Sequence, residues 1–410
     1  MLWLPAVLVL LCGLPVLLAT GQVDPRGWML AALLLAPVAA WLGRHDGQYA
    51  AFWASMGAAG TVLSCAFLAT WRVPALGPVL WFLAAVLLAT FAGLWTQAVR
   101  APGKAGVRYG GASALVLLTL AAWWLAKEPR IAPTPGPRPQ LAVMSGLPLF
   151  WRAGEKGLAA RVDAPIITVL RQRFDVQPVD SPLRLGKAKL LLLAQPRAFS
   201  MEELVALHGW ISRGGTALIL ADPQLRWPLD LPLGDRRRPP SVTLLSAMIE
   251  LLGVTLLPRP DAGEVRHFLG DGRMLTLFAA SGFEKASADC RIVGRGRVAR
   301  CAVGKGSATM VADADLIDDR LWLADPAAPL DPAQWTADTP QFVAETLGQA
   351  LPDGRRWVRT GAVLAGAVRW AVLVGFFWAA LGTALFGPWN GPRFGLVRPR
   401  LARQKPERKD

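Results

Sequence analysis

The sequence predicts an integral membrane protein in which α-helical spans flank an α/β domain built on a mostly parallel sheet, with an antiparallel strand-rich segment inside it. Three observations lead there. Hydrophobic residues make up 53% of the 410-residue chain, too many for an ordinary soluble protein. Apolar runs near 1–20, 28–43, 50–70, 76–97, 110–126 and 360–388 approach the ~20 residues that a helix needs to cross a hydrocarbon core. The polar block between the fifth and sixth runs alternates strand-like and helix-like segments. The expected organisation is a membrane region of about five spans over 1–127, a proline-rich linker over 128–140, an extracytoplasmic α/β domain over 141–355, a final span over 356–389 and a basic cytoplasmic tail over 390–410.

The first run reads as an uncleaved span, because no basic residue precedes it and further spans follow at once. Cys12 follows Leu11, which does not fit a lipoprotein cysteine. The second run is short and interrupted by Pro37. Trp123, Trp124 and Trp389 sit at span ends, where interfacial aromatics concentrate, and Arg369 reads as a side chain snorkelling at the outer end of the last span.

The formal net charge of +15 is assigned to membrane topology and not to nucleic-acid binding. The tail carries Arg393, Arg398, Arg400, Arg403, Lys405, Arg408 and Lys409 against Glu407 and Asp410. Positive-inside bias makes that tail cytoplasmic, and counting spans backward places Arg44, Arg100, Lys104 and Arg108 on the same side. The expectation is a multi-pass protein of the bacterial inner membrane with both termini cytoplasmic and the large domain outside.

The linker Ile131–Gln140 holds four prolines and reads as extended, semi-rigid chain. Leu141–Met144 reads as a strand ending at Ser145-Gly146, residues 158–173 as a helix, Phe174–Val176 as a second strand and Lys189–Leu193 as a buried one. Ser200 with Glu203 forms a capping box for a helix bearing Leu204, Leu207, Trp210 and Ile211, stopped by Gly214-Gly215. Thr216–Leu220 is the next strand, ending at Asp222-Pro223. Residues 224–240 read as a Pro- and Arg-rich insertion, 241–252 as a helix and 264–303 as short antiparallel strands. Ala308–Ala312 returns as a buried strand ending in Asp313-Ala-Asp315, and 339–350 closes the domain as a helix.

Within this order, Ala194-Gln-Pro, Ser200-Met-Glu-Glu-Leu204, Trp210-Ile-Ser-Arg-Gly214-Gly215 and Ala217-Leu-Ile-Leu-Ala-Asp222-Pro223 stand out. Together with Gly304-Lys-Gly306 and Val311-Ala-Asp313-Ala-Asp315, they resemble the glutamine-amidotransferase-like domain of gliding-motility-type auxiliary proteins of ABC transporters. The resemblance covers roughly residues 140–350. Five spans before the domain exceed the simple form of that family and resemble a fused permease-like segment. The resemblance implies a non-enzymatic auxiliary, scaffold or ligand-binding component of a transport or envelope complex, working beside an ABC-type ATPase and permease in the lipid bilayer, with no cofactor. The chain itself carries no complete phosphate-binding loop, since Gly304-Lys-Gly306-Ser lacks the spacing.

An amidotransferase nucleophile needs a cysteine on a strand-to-helix turn with a histidine nearby. The turns here present Ser145 and Asp222 instead, and the domain's histidines, His208 and His267, have no recognisable partner in sequence. Catalytic residues are therefore expected to be absent. Ser145, Gly146, Asp222, Asp313 and Asp315 are the candidate ligand-binding residues at the sheet edge. The alternative is a membrane-anchored hydrolase working around Ser145 and Asp222. The acidic residues Asp313, Asp315, Asp318 and Asp319 are read as turn caps and solvated groups, with no metal expected. Cys290 and Cys301 flank a Gly-Arg-Gly turn. With a two-residue turn at Arg295-Gly296 they fall opposite each other as a hydrogen-bonded pair, making a candidate disulfide whose alternative is two buried thiols.

Overall fold

A computed structural model of the chain describes residues 2–99, 105–151, 161–232, 234–258 and 263–386. The basic tail, Trp389, Arg100 and Lys104 lie outside the described residues. Helix α1 (Leu4–Thr20) ends at Gly21, whose φ of 72° lets its N–H turn back to the Leu17 carbonyl at 2.7 Å. A short turn of helix and α2 (Met29–Ala32) lead into α3 (Leu35–His45), and the two parts meet at 54°. Pro37 contributes to this break, because it has no N–H to give to the Leu33 carbonyl. Then come α4 (Gln48–Thr70), α5 (Leu76–Ala98) and α6 (Ala105–Leu125).

The α/β domain follows with β1 (Gln140–Ser145), α7 (Pro165–Leu170), β2 (Asp175–Pro178), β3 (Leu190–Ala194), α8 (Met201–Ser212), β4 (Thr216–Leu220) and α9 (Ser246–Leu251). Short strands β5 (Val254–Leu256), β6 (Glu264–Phe268), β7 (Met274–Phe278), β8 (Phe283–Ala286), β9 (Cys290–Val293), β10 (Val298–Val303) and β11 (Gly306–Val311) come next. Helices α10 (Asp319–Trp322) and α11 (Thr339–Thr346) close the domain, and α12 (Gly361–Phe386) re-enters the bundle.

The six expected spans are not six equal helices. Among the described residues, α4, α5, α6 and α12 are long and apolar enough to cross a membrane, and the bent 25–45 pair makes a fifth crossing if it counts as one. At 17 residues α1 reaches about 25 Å, short of the ~30 Å core. The expected helix at 158–173 is a six-residue helix within the described part, because Asp163 and Ala164 stay extended ahead of Pro165.

The last helix packs on the fourth through small residues. Ala371, Gly375, Ala379 and Gly382 form the buried stripe of α12. Trp53 of α4 and Trp378 of α12 stack at 4.2 Å between ring centres. Each indole N–H donates to the other residue's main-chain carbonyl, at 2.9 and 2.8 Å. Gly57 makes room for the Trp378 ring, since a Cβ there would lie 2.5 Å from it. In an apolar environment such satisfied donors hold helices together where the hydrophobic effect does not.

The domain is a seven-stranded sheet in the order β2-β1-β3-β4-β11-β10-β9, parallel from β2 through β11 and antiparallel at β10 and β9. Alternation puts Leu141, Val143, Leu192, Leu218 and Val311 on the face covered by α7 and α11. Ala142, Leu191, Leu193, Ile219 and Met310 face α8 and α9 on the other side. The Ser200–Glu203 capping box closes the start of α8.

The domain sits on the bundle through a polar clamp. Val23 N–H donates to Arg356 O at 2.7 Å and Val358 N–H to Gly21 O at 3.0 Å, so the α1 exit pairs with the α12 entry. The Gln22 amide donates to the carbonyls of Pro332 and Trp335 at 2.9 and 2.6 Å. Glu128, just past α6, pairs with Arg355 at 3.1 Å and lies 3.7 Å from Arg26, which also binds Asp24. Above it, buried Asp338 accepts from Met274 N–H at 2.9 Å and Trp357 Nε1 at 2.6 Å. Burial outweighs these bonds and pushes the Asp338 carboxyl up to about 6.

Two outcomes follow from this geometry. Gly57→Val should lower the Tm of the detergent-solubilised protein, with an overpacking cost of about 1–3 kcal/mol, whereas Gly60→Val, where nothing lies within 4 Å of the added carbon, should leave Tm unchanged. The folded state also holds the Asp338 proton more tightly than the unfolded chain does. Its contribution is therefore complete below about pH 4 and lost as the pH rises toward about 6, by at most about 3 kcal/mol. A thermal-melt series over that window should show a smaller decline in Asp338→Asn than in the parent.

Candidate functional site

The carboxyl edge of the parallel strands brings together the ends of β1, β3, β4 and β11. β1 lies between β2 and β3, so the chain changes winding direction beside it, where open α/β sheets usually bind ligands. Ser145 and Gly146 stand at that point. Ser145 Oγ accepts from Leu147 N–H at 2.9 Å and sits 3.4 Å from the Leu147 carbonyl, a local turn that occupies the hydroxyl. Gly146 is half-buried and crowded: a Cβ on it would lie 2.5 Å from Gln195 O and 3.2 Å from Pro240 Cδ. Pro240, the last residue of the expected 224–240 insertion, packs against this turn, which stays half-exposed.

Gln195 holds this contact in place. It follows β3 with a φ of 43° and is fully buried. Its Oε1 accepts from Asp222 N–H at 2.9 Å, and its Nε2 donates to Asp222 O and Pro240 O, both at 3.0 Å. In the sequence Gln195 stands out only as part of the Ala194-Gln-Pro motif. The signal that marks it is a polar residue directly after an apolar strand, where burial demands a full set of partners.

The acidic residues form the second feature of the edge. Asp222, at the end of β4, comes together with Asp313 and Asp315, at the end of β11, so that one oxygen from each lies within 4.8 Å of the others. All three are buried, at 0%, 0% and 2% exposure. Backbone donors hold five of the six oxygens: Gln224 and Ala314 N–H reach Asp222 at 2.7 and 3.3 Å, Leu316 and Phe278 reach Asp313 at 3.2 and 2.8 Å, and Arg226 reaches Asp315 Oδ2 at 2.7 Å. The sixth, Asp315 Oδ1, has no partner among the described residues. Among the described residues no Lys, Arg or His side chain pairs with the three. Arg320 is engaged with Asp318, which caps α10.

The expectation of solvated turn caps thus holds only in part. Asp313 caps the turn before α10, but Asp222 and Asp315 meet it from positions 222 and 315, far apart in sequence and out of solvent. Burial, reinforced by the neighbouring carboxylates, raises Asp313 well above the ordinary range and Asp315 to about 7, and burial raises Asp222 as well. Ser145 and Gly146 stand apart, on a strand two positions from β4 and so about 10 Å away across the sheet.

The remaining residues fall elsewhere. His208 lies on α8. His267 is buried on β6, and the Arg297 and Arg295 charges add to burial in lowering its pKa. Cys290 and Cys301 are joined by a disulfide across β9 and β10, with Cα atoms 4.0 Å apart. Ala302 N–H donates to Asp289 O, which makes the adjacent residues the hydrogen-bonded pair. The cysteines are therefore the closer, non-hydrogen-bonded pair and not the hydrogen-bonded pair expected from sequence. The turn between them places Arg295 at φ 49° and Gly296 at φ 90°.

No protein-family model matches the chain, and no curated protein matches it. Solved structures resemble it weakly. A cytoplasmic protein of Salmonella typhimurium LT2 aligns at 11% identity over 43% of this chain and 88% of its own, with a TM-score of 0.30. An exo-β-1,4-mannosidase from Opitutaceae bacterium strain TAV5 aligns at 14% identity over 73% of this chain and 56% of its own, with a TM-score of 0.32. A GH42 β-galactosidase from G. stearothermophilus aligns at 14% identity over 50% of this chain and 31% of its own, with a TM-score of 0.28.

Gln195→Ala should destabilise the protein by about 3 kcal/mol, because it removes three hydrogen bonds and strands buried backbone partners on Asp222 and Pro240. Limited proteolysis should then cut within 224–240 faster than in the parent.

Proposed function

We propose that the chain is a membrane-anchored, non-enzymatic component of a transport or cell-envelope complex, its α/β domain serving as a scaffold or ligand-binding module on the outer face of the membrane. The observation that carries this reading is the clamp. A catalytic domain on a flexible tether needs no fixed orientation, whereas this domain is pinned to the helices at both its entry and its exit. A change of state in the domain therefore has a rigid route into the bundle. The occupied hydroxyl of Ser145 and the crowding at Gly146 weigh against the hydrolase alternative.

Sidedness rests on two further points. Gln22 after α1, Arg72 after α4 and Glu128 after α6 all meet the domain or its exit, Arg72 lying against Gly272, so these helices end on the domain's side and α12 begins there. Arg44 and Arg108 then fall on the opposite side, toward which α12 runs, and positive-inside bias makes that side the cytoplasmic one. A disulfide suits an oxidising compartment outside it. The partners this reading implies are an ABC-type ATPase and its permease.

The expected outcome in cells is that a reporter inserted in 224–240 is active only outside and one fused after Asp410 only in the cytoplasm. Mild-detergent purification should bring down an ATPase, and Ser145→Ala should leave cellular function intact at normal abundance. Loss of function in a folded Ser145→Ala protein, with turnover of an ester or amide by the parent, would replace this reading with the hydrolase.

A further inference from the structure

We infer that Asp222, Asp313 and Asp315 form a binding site for one hard divalent cation, best matched by Ca2+. The site lies wholly within the α/β domain and stands apart from the sidedness argued above.

The geometry fits an oxygen-ligated ion. One oxygen of each residue lies within 4.8 Å of the other two, which is the span of two oxygens on opposite sides of an ion with bonds of about 2.4 Å. Three carboxylates offer up to six oxygens and no nitrogen or sulfur, a donor set that favours calcium or magnesium over transition metals. Magnesium demands shorter bonds and keeps its waters, and a fully buried site suits it less well.

The second observation is Asp315 itself. Its side chain is 2% exposed and its Oδ2 is taken by the Arg226 N–H, yet its Oδ1 has no donor in a region that otherwise satisfies every carboxylate oxygen. The Asp222 carboxyl meets the Asp315 carboxyl at this point. A cation between them converts opposed acceptors into ligands.

The surrounding bonds act as supports for the ligands. Five N–H groups fix the carboxylate planes from three separate segments: the start of the 223–240 cover, the end of β7 and the turn after β11. Gln224 and Arg226 of the cover hold Asp222 and Asp315 through their N–H groups. An ion there joins β4, β11 and the cover in one rigid unit.

The test uses the full chain in detergent, treated with a chelator and then desalted. Equilibrium dialysis with radioactive calcium should show one ion bound per chain at or below about 1 mM, the upper end for extracellular calcium modules, and CaCl2 should raise Tm. Asp315→Asn keeps an acceptor for Arg226 and should weaken calcium binding about 100-fold or more, as removal of a ligand requires. Asp271→Asn, an acidic change outside the cluster, should bind like the parent. No calcium bound by the parent at about 1 mM would overturn the proposal whether or not a variant folds. So would calcium binding by folded Asp315→Asn equal to that of the parent, which would place the ion elsewhere. Tighter binding of MgCl2 than of CaCl2 would overturn the choice of calcium.

Discussion

The pairing of the α1 exit with the α12 entry constrains everything else in this protein. Residues near Gln22 and Trp357 are separated by most of the sequence, yet Val23 and Val358 exchange backbone hydrogen bonds with the opposite segment. The α/β domain ends at the second of these points, and its exit is therefore fixed at one face of the bundle. The entropy of closing so long an excursion grows only slowly with its length, so a few well-placed polar contacts and the packing of α12 on α4 suffice to hold it. Glu128 adds the third point of attachment by reaching Arg355 from the end of α6.

The clamp also governs how the bundle closes. Because Val358 is held at the membrane face, α12 enters beside α1 and runs along α4, where Gly57 and Gly382 leave space for the Trp378 and Trp53 rings and Gly375 for Thr61. The membrane region and the domain are thus two layers of one architecture, with the polar layer of Arg26, Asp24, Glu128 and Arg355 between them. Charged groups at that level are tolerated because they pair with one another at the water boundary.

Much of the fold is legible in the sequence because it depends on local chemistry. Thr216–Leu220 declares itself as a strand through its apolar run and the preceding Gly214-Gly215, and Ser200 with Glu203 marks the start of α8. The opposition of Cys290 and Cys301 follows from counting out from a two-residue turn. What the sequence conceals is long-range. Nothing local indicates that β9 and β10 extend the main sheet instead of forming a separate layer, since an antiparallel hairpin looks the same in either place. The first two apolar runs have the composition of spans, but one is too short and the other breaks beside Pro37. At the site, Asp313 and Asp315 are visible as neighbours, whereas Asp222 joins them only because β4 and β11 are adjacent in parallel register. Ser145 and Gly146 end a strand just as Asp222 does, but only the folded chain brings Pro240 against Gly146.

The most direct measurement of this account is hydrogen–deuterium exchange of the full-length protein in a lipid environment, read at the peptides spanning 21–24 and 356–359. The amides of Val23 and Val358 should be protected to the same degree as neighbouring bundle residues, because each donates across the clamp. Exchange of both segments at the rate of unstructured chain would contradict the account and leave a domain merely tethered to its helices.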